Sequence, residues 1–560
     1  MLDQQFHEAV TRAALDHARD LLPSAAGQGG RPHRELMREA KVLLSVIAAD
    51  VPVERGPFLA AARSRLDALR SLQAATGLFA GGDNLQSPPD SAFTINDACD
   101  AYALLGPLAG DPEIDDVRSR IAAIIHATTE PLLHGGVHTP NHRWEISAAL
   151  ARIHRSFPDA RLVARAQEWL AEGVDVDADG FYSERSPNYA AYVSNPSLTV
   201  LADILNRSEL WEIVLRNLEA TLGLLRPDGT VETVQSRRQD QNAPFPLAPY
   251  LSAFRAAAVA TGRGDFADAA RRAALPGVHD PELLAQTLLR PQLLEQLPEP
   301  IARAQAASTY FPAVALASRV SPIAETVLYG GSDYAARGRI RSGLANNPTF
   351  CRVFAGDAVL DSVRLSRAFF DLGPFRASTL RRLGDDVYLL EETIDAAYYQ
   401  PLGPSDRRAD GLYDLVDDGR FSASMSFQNR HRDVVRMTTA IEAALVPDGV
   451  DLRVRIDSPE LPWSLEFGFR EGGAVVGGVR EPDGTWVLPA GEGEYRVGGS
   501  RIAVRLDGAA LSQSPLPYEP GQDYGFLGAT DAVDGVRVRL GGTAPTEFAV
   551  HIRAEREDVR

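Results

Sequence analysis

Lysine is almost missing from this chain: of 57 basic residues, Lys41 is the one lysine and the rest are arginines. Recognition of negative charge is therefore left to the planar guanidinium fork, which suits carboxylates and phosphates. Cysteine is scarce as well, and Cys99 and Cys351 lie far apart with no CxxC spacing, so there is no disulfide framework and no thiol-based zinc or redox motif. They read as buried small hydrophobes. Positive charge is outnumbered, 57 against 75 acidic residues, for a net charge of −18. An acidic body repels nucleic-acid phosphates and anionic lipid, so neither nucleic acid nor membrane is expected as a partner. A few arginines converging in a cleft could still take an anionic substrate. No segment offers about 18 consecutive apolar residues, and the opening MLDQQFHEAVTRAALDHARD puts acids and histidines where a signal peptide needs an apolar run. The expected compartment is the cytoplasm.

What is present is ordinary for a folded, water-soluble protein: 45% hydrophobic and 24% charged residues in a chain of 560. The length allows two large domains or three to four smaller ones. The pattern favours two. From Leu2 to about Gln305 apolar residues recur at helical spacing, as in Leu36, Leu43, Leu44 and Ile47, or Leu198, Leu201, Ile204 and Leu205. Gly81-Gly82-Asp83-Asn84, Ser87-Pro88-Pro89-Asp90, Asp177-Ala178-Asp179-Gly180 and Pro227-Asp228-Gly229 punctuate these helices. After Pro298 and Pro300 the pattern turns to alternating, β-branched runs: Asp386 to Ile394, Phe421 to Phe427, Val434 to Val446, Val450 to Ile456, Ile502 to Leu506, Val536 to Leu540 and Phe548 to Ile552. Pro447-Asp448-Gly449 and Pro482-Asp483-Gly484 mark hairpins. The expectation is a multidomain α+β chain, helical over 1–305 and an antiparallel β-sandwich over 306–560.

The chemistry-bearing stretch runs from His134 through His138-Thr139-Pro140-Asn141-His142 to Glu145 and Ile146. Thr139 as N-cap and Pro140 at the first helical position predict a helix to about Ile153, with Asn141 and His142 in its first turn. That end carries partial positive charge and suits an anion, and Glu145 falls on the edge of the inward face. The structural alternative is an amide satisfying the helix end beside an ordinary interior histidine. A metal pair at His138 and His142 is disfavoured, because Thr139-Pro140 starts the helix between them. A second stretch, Asp179-Gly180-Phe181-Tyr182 to Glu184-Arg185-Ser186-Pro187-Asn188-Tyr189, brings a tyrosine suited to proton transfer, whereas Tyr182 and Tyr192 read as core-edge aromatics. A third, Glu232 to Asn242 with Arg237, Arg238 and Gln239, and a fourth around Asn84 and Asp97, read as polar loops over a cleft or as solvated connections.

Asn141-His142 with Glu145, followed by Asp179-Gly180-Phe181-Tyr182 and Glu184 to Tyr189, resembles the heparinase II/III-like polysaccharide lyase superfamily. The match covers roughly Asn84 to Asp240, and the helical-then-β order extends it loosely to the whole chain. The resemblance implies an incomplete (α/α) toroid followed by an antiparallel β-sandwich, β-elimination at a uronic acid, and an acidic oligosaccharide as partner. One branch carries a structural zinc that needs several sandwich ligands; with only His431 and His551 as histidines in that half, no metal is expected here, and no cofactor. By position, Asn141 would neutralise the substrate carboxylate, His142 would assist, and Tyr189 would be base or acid. Glu145, Glu184, Arg237, Arg238, Gln239, Asn84 and Asp97 would bind substrate. The chain departs from the family at Ala190, where a His often follows the tyrosine. From the sandwich, His431, Tyr329 and Tyr334 are the candidates to complete the site. A second function from the same residues is a glycoside hydrolase drawing its carboxylate pair from Asp97, Glu145, Glu184, Glu232 and Asp240. A third is a non-catalytic carbohydrate-binding protein. Homo-oligomerisation is left open.

Overall fold

Alanine- and leucine-rich segments become helices here because each buries apolar side chains, and some also close an end with a capping side chain. His33–Ala48 buries Leu36, Met37, Ala40, Leu43, Leu44 and Ile47, each of the large ones worth about 1.5–3 kcal/mol against exposure. Ser87 caps Pro88–Leu104 by accepting from the Asp90 amide at 3.2 Å, and Asp111 caps Pro112–His134 through the Glu113 amide at 2.9 Å. Asn206 and Gly262, both left-handed, end Asn195–Leu205 and Leu251–Thr261. The computed structural model describes all residues of the chain except 24–29, 243, 303, 305, 334–346, 371, 416–423, 514, 516, 519–534 and 557–560. No helix among the described residues is long and apolar enough to cross a membrane.

The described residues divide into two units, Met1–Val231 with Phe245–Arg303, and Glu232–Pro244 with Ala304–Arg560. The first is built from helical hairpins. His33–Ala48 pairs with Arg55–Leu72, Pro88–Leu104 with Pro112–His134, His142–Ser156 with Ala160–Ala171, Asn195–Leu205 with Ser208–Gly223, and Leu251–Thr261 with Gly264–Ala274. The first members of the first four hairpins pack on one another in succession, and so do the outer helices Arg55–Leu72, Pro112–His134 and Ala160–Ala171. This double layer of helices is the (α/α) toroid. Two small hairpins, Phe79–Gly81 with Asn84–Ser87 and Thr230–Val231 with Phe245–Pro246, interrupt it at turn sequences where a purely helical region was expected.

The second unit is an antiparallel sheet system organised by two long strands, Gly449–Phe469 and Val536–Arg556, paired along most of their length. The first half of Gly449–Phe469 also pairs with Arg432–Val446, which leads on to Val387–Tyr399 and Thr379–Gly384. Its second half pairs with Ala358–Arg367, followed by Cys351–Ala355, Glu325–Tyr329, Leu316–Val320 and Ala307–Phe311. The register shifts between Ile456 and Leu461, and such an irregularity bends a strand so that one chain segment can serve both layers of a sandwich. Trp463 stacks on Phe548 at 4.4 Å and 12° within the core. One short pairing is parallel, Trp486–Val487 beside Val538–Arg539.

Several expectations change at this level. Val536 to Leu540 and Phe548 to Ile552 are parts of a single strand, because Gly541 and Gly542 interrupt the hydrophobic pattern without ending the pairing. Of the expected strand Phe421 to Phe427, residues 421–423 lie outside the described residues; Ser426 is left-handed and Phe427–Asn429 form a 3-10 turn. Glu232–Pro244 joins the sheet unit although helices flank it in sequence. Arg352 of the strand Cys351–Ala355 holds Glu232 at 2.5 Å, and Asp333 grips Arg237 through Nε at 2.8 Å and NH2 at 2.6 Å.

Candidate active site

The helix beginning at His142 starts later than the sequence suggests. Thr139 does not cap it: its hydroxyl donates to Asn141 Oδ1 at 3.1 Å, and Asn141 takes the cap position with helical φ and ψ and no capping hydrogen bond of its own. The Asn141 carboxamide is thereby left for a tertiary task. Its Nδ2 donates to Glu184 Oε2 at 2.7 Å, and both residues are buried. One segment's oxygen and another's carboxylate fix which way the amide faces.

His142, half-buried, meets His138 edge-on at 4.9 Å and Phe93 at 6.5 Å. Arg34 lies over Phe93 and is paired with Asp90. Burial raises the Asp90 carboxyl, but the Ser87 hydroxyl, Arg34 and His142 together draw it below the ordinary range. The two histidines touch as rings. Among the described residues no group of three or more His, Cys, Asp or Glu could hold a metal ion.

The tyrosine segment is shaped by backbone constraints. Asp177 accepts from the amides of Asp179 and Phe181 at 3.0 and 2.9 Å, and Gly180 sits at φ 94, where a Cβ would meet the Arg216 carbonyl at 2.5 Å. Arg185 is left-handed at φ 52, a conformation that costs a non-glycine residue roughly 1 kcal/mol or more. Ser186 then caps a single turn by accepting from the Tyr189 amide at 3.1 Å, and Tyr250 donates to the Pro187 carbonyl at 2.8 Å. Directly after Tyr189 the chain widens into a π-helical turn, Ala190–Ser194, before Asn195–Leu205. Such turns recur at functional sites. The Tyr182 hydroxyl donates to Asn195 at 2.7 Å, and burial holds its phenol well above the usual range, which fits the structural role expected for it. Tyr192, expected at a core edge, is 57% exposed.

Other candidates are committed elsewhere. Glu145 accepts from Asn96 at 2.6 Å and Ser197 at 2.9 Å; burial raises its carboxyl despite those bonds. Asp97 receives Lys41 Nζ at 2.5 Å, and the same amine meets Glu282 at 2.6 Å. Asn84 is exposed on the hairpin Phe79–Gly81/Asn84–Ser87. Arg237, half-buried Arg238 and exposed Gln239 belong to the second unit, where Arg237 is held by Asp333 and Asp240 accepts from Ser236. Tyr329 is buried, His431 is exposed near Asp433 at 3.9 Å, and Tyr334 lies outside the described residues. The structure therefore joins Asn141 to the Glu184–Tyr189 segment directly and keeps His142 beside them in sequence, while Glu145 and Asp97 are occupied by internal partners. Sequence reasoning missed the Asn141–Glu184 bond and the Lys41 pairing, the latter signalled only by the isolation of that lysine.

Neither a family model nor a curated protein matches the chain. Solved structures do. Heparinase III superposes with a TM-score of 0.56 at 10% identity, over 94% of this chain and 77% of its own. The Streptomyces coelicolor A3 chondroitin AC lyase, in complex with chondroitin sulphate, gives 0.56 at 13% identity, over 99% and 80%. The chain has the toroid-and-sandwich polysaccharide lyase fold. A heparan sulfate lyase HepC mutant from Pedobacter heparinus matches at 0.50 with 10% identity, over 95% and 78%. At these identities the lyase fold is what is shared, and its chemistry has to be argued from the residues of this chain.

Proposed function

We propose that this protein is a lyase that cleaves uronate-containing oligosaccharides by β-elimination. The observation that carries the reading is the Asn141 carboxamide, fixed between Thr139 and Glu184 at the start of a helix. One N–H of Nδ2 serves Glu184, and the second is the donor a uronate carboxylate would take, with the helix end adding partial positive charge. The C5 proton of a uronate is removable only when the charge spreading onto its carboxylate is stabilised. Tyr189, carried on the same segment as Glu184, takes that proton and returns one to the departing C4 oxygen. The C5–H and C4–O bonds break, a C4–C5 double bond forms, and no water is consumed. His142 supports the charge beside Asn141. The chondroitin sulphate bound to the Streptomyces coelicolor lyase supports an acidic glycan as the substrate class. The compartment proposed is the cytoplasm, acting on imported oligosaccharides, which cell fractionation checks.

The test is incubation with a panel of uronate oligosaccharides while following the ultraviolet absorbance of the unsaturated product, with Asn141→Ala and Tyr189→Phe as controls. Absorbance growth abolished in both variants is the expected result. Cleavage of neutral glycans with solvent oxygen in the new reducing end, and none with uronates, would reject the proposal in favour of hydrolysis. Of the carboxylates available for hydrolysis, Asp97, Glu145 and Glu232 are already held by Lys41, by Asn96 with Ser197, and by Arg352.

A further inference from the structure

The pair of strands Val387–Tyr399 and Arg432–Val446 carries aromatic rings at its far end, beside arginines that form no ion pair among the described residues. Tyr399 lies opposite Arg432 in the register, so both project from one face. On that face the Tyr399 ring packs against Phe427 at 4.4 Å. The neighbouring Tyr398 projects from the other face, 65% exposed, and meets the exposed Phe370 at 5.6 Å. Large rings left in water at a strand end lose burial energy that a core position would give. Each pair offers a rigid apolar surface of the kind that accepts the C–H face of a pyranose.

The charges beside the rings select the occupant. Among the described residues Arg432 has no ion-pair partner. Among the described residues Arg430 donates only to the carbonyls of Met425 at 2.7 Å and Gln400 at 3.1 Å, and Arg407 to that of Leu402 at 2.9 Å. Among the described residues, three guanidiniums thus form no ion pair in a chain of net charge −18, although the charge of Arg432 is felt by Asp395. Arg436, by contrast, is fully engaged by Asp395 at 2.7 and 2.8 Å. We infer that this strand end is a non-catalytic holding surface for a uronate polymer, with sugar rings on Tyr399 and Phe427 and sugar carboxylates on Arg432 and Arg430. A neutral glycan would gain only the stacking half of the contact.

The experiment is retardation of the full chain in native gels containing hyaluronan or polymannuronate, with dextran as the neutral control, in a Tyr189→Phe background so that no polymer is cut. The Tyr399→Ala/Arg432→Ala double variant should bind the uronate polymers about tenfold more weakly, a loss the size of one ring contact plus one exposed ion pair. Dextran should retard neither protein. If the double variant melts earlier than its parent, the affinity of Arg432→Glu alone decides, since that change removes no buried group. Unchanged affinity in these variants overturns the inference. So does a shift from dimer to monomer in sedimentation with polymer binding intact, which would make the surface a contact between copies of the chain. Because the readout is binding, loss of retardation can occur whether or not any uronate is cleaved, and failure of the lyase reading would show separately as absent cleavage by the parent protein.

Discussion

Asn141 and Glu184 form the decisive contact at the scale of single residues, because the amide must present an N–H and not its oxygen to an anion. Removing the acceptor frees the carboxamide to turn. Glu184→Ala should lower kcat on a uronate oligosaccharide by about 10- to 100-fold, the range of a hydrogen bond to a charged group, with a smaller change in KM, and Glu184→Gln should restore part of it. A Glu184→Ala enzyme with full kcat beside an inactive Asn141→Ala would refute that role. A second residue contributes to acid sensitivity. His33 stacks on Phe79 at 4.8 Å and shares a hydrogen bond with Thr94 at 2.6 Å. Burial, helped by Arg34, pushes its imidazole down to about 4. The folded state binds the proton less readily than the unfolded chain, so this group's contribution to stability is fully present above the unfolded value near 6.5 and is lost as pH falls toward 4. About 2 kcal/mol of that acid loss should vanish in His33→Asn, as read by denaturant midpoints across this window.

At the scale of elements, turn chemistry is where the structure is least forgiving. Val446 pairs directly with Gly449, leaving Pro447-Asp448 as the turn, and a Cβ on Gly449 at φ 148 would lie 2.0 Å from the Ile552 carbonyl. Gly449→Ala should cost more than about 2 kcal/mol, whereas Gly384→Ala, with open space around it, should leave the denaturation midpoint nearly unmoved. This hairpin was legible in the sequence because Pro-Asp-Gly between two alternating runs is a local signal. The helices were legible for the same reason, through the spacing of residues such as Leu36, Leu43 and Leu44. The single strand Val536–Arg556 was not, since its two glycines look like a break until the partner strand is seen to run past them. Nor was the membership of Glu232–Pro244 in the sheet unit, which rests on Arg352 and Asp333, residues remote in sequence. At the candidate site the helix and the tyrosine segment were readable as motifs, although the helix start was read two residues early. Their connection through Glu184 was not, because periodicity says nothing about which of two polar segments an amide will face.

For the whole molecule the dominant fact is charge. A protein of net charge −18 meeting a polyanion is slowed by long-range repulsion. Raising ionic strength from about 0.01 M toward 0.1 M shrinks the Debye length from about 30 to 10 Å, so kcat/KM for a uronate oligosaccharide should rise over that range. A steady fall instead would mean that arginines near the site outweigh the body. The same arginine bias has a practical side. The one lysine is buried between Asp97 and Glu282, so an amine-acylating reagent finds no side chain to modify on the folded protein. Acylation of Lys41 therefore becomes a stopwatch for the parting of the helices around it, and a peptide map after timed exposure would read how often that inner layer opens.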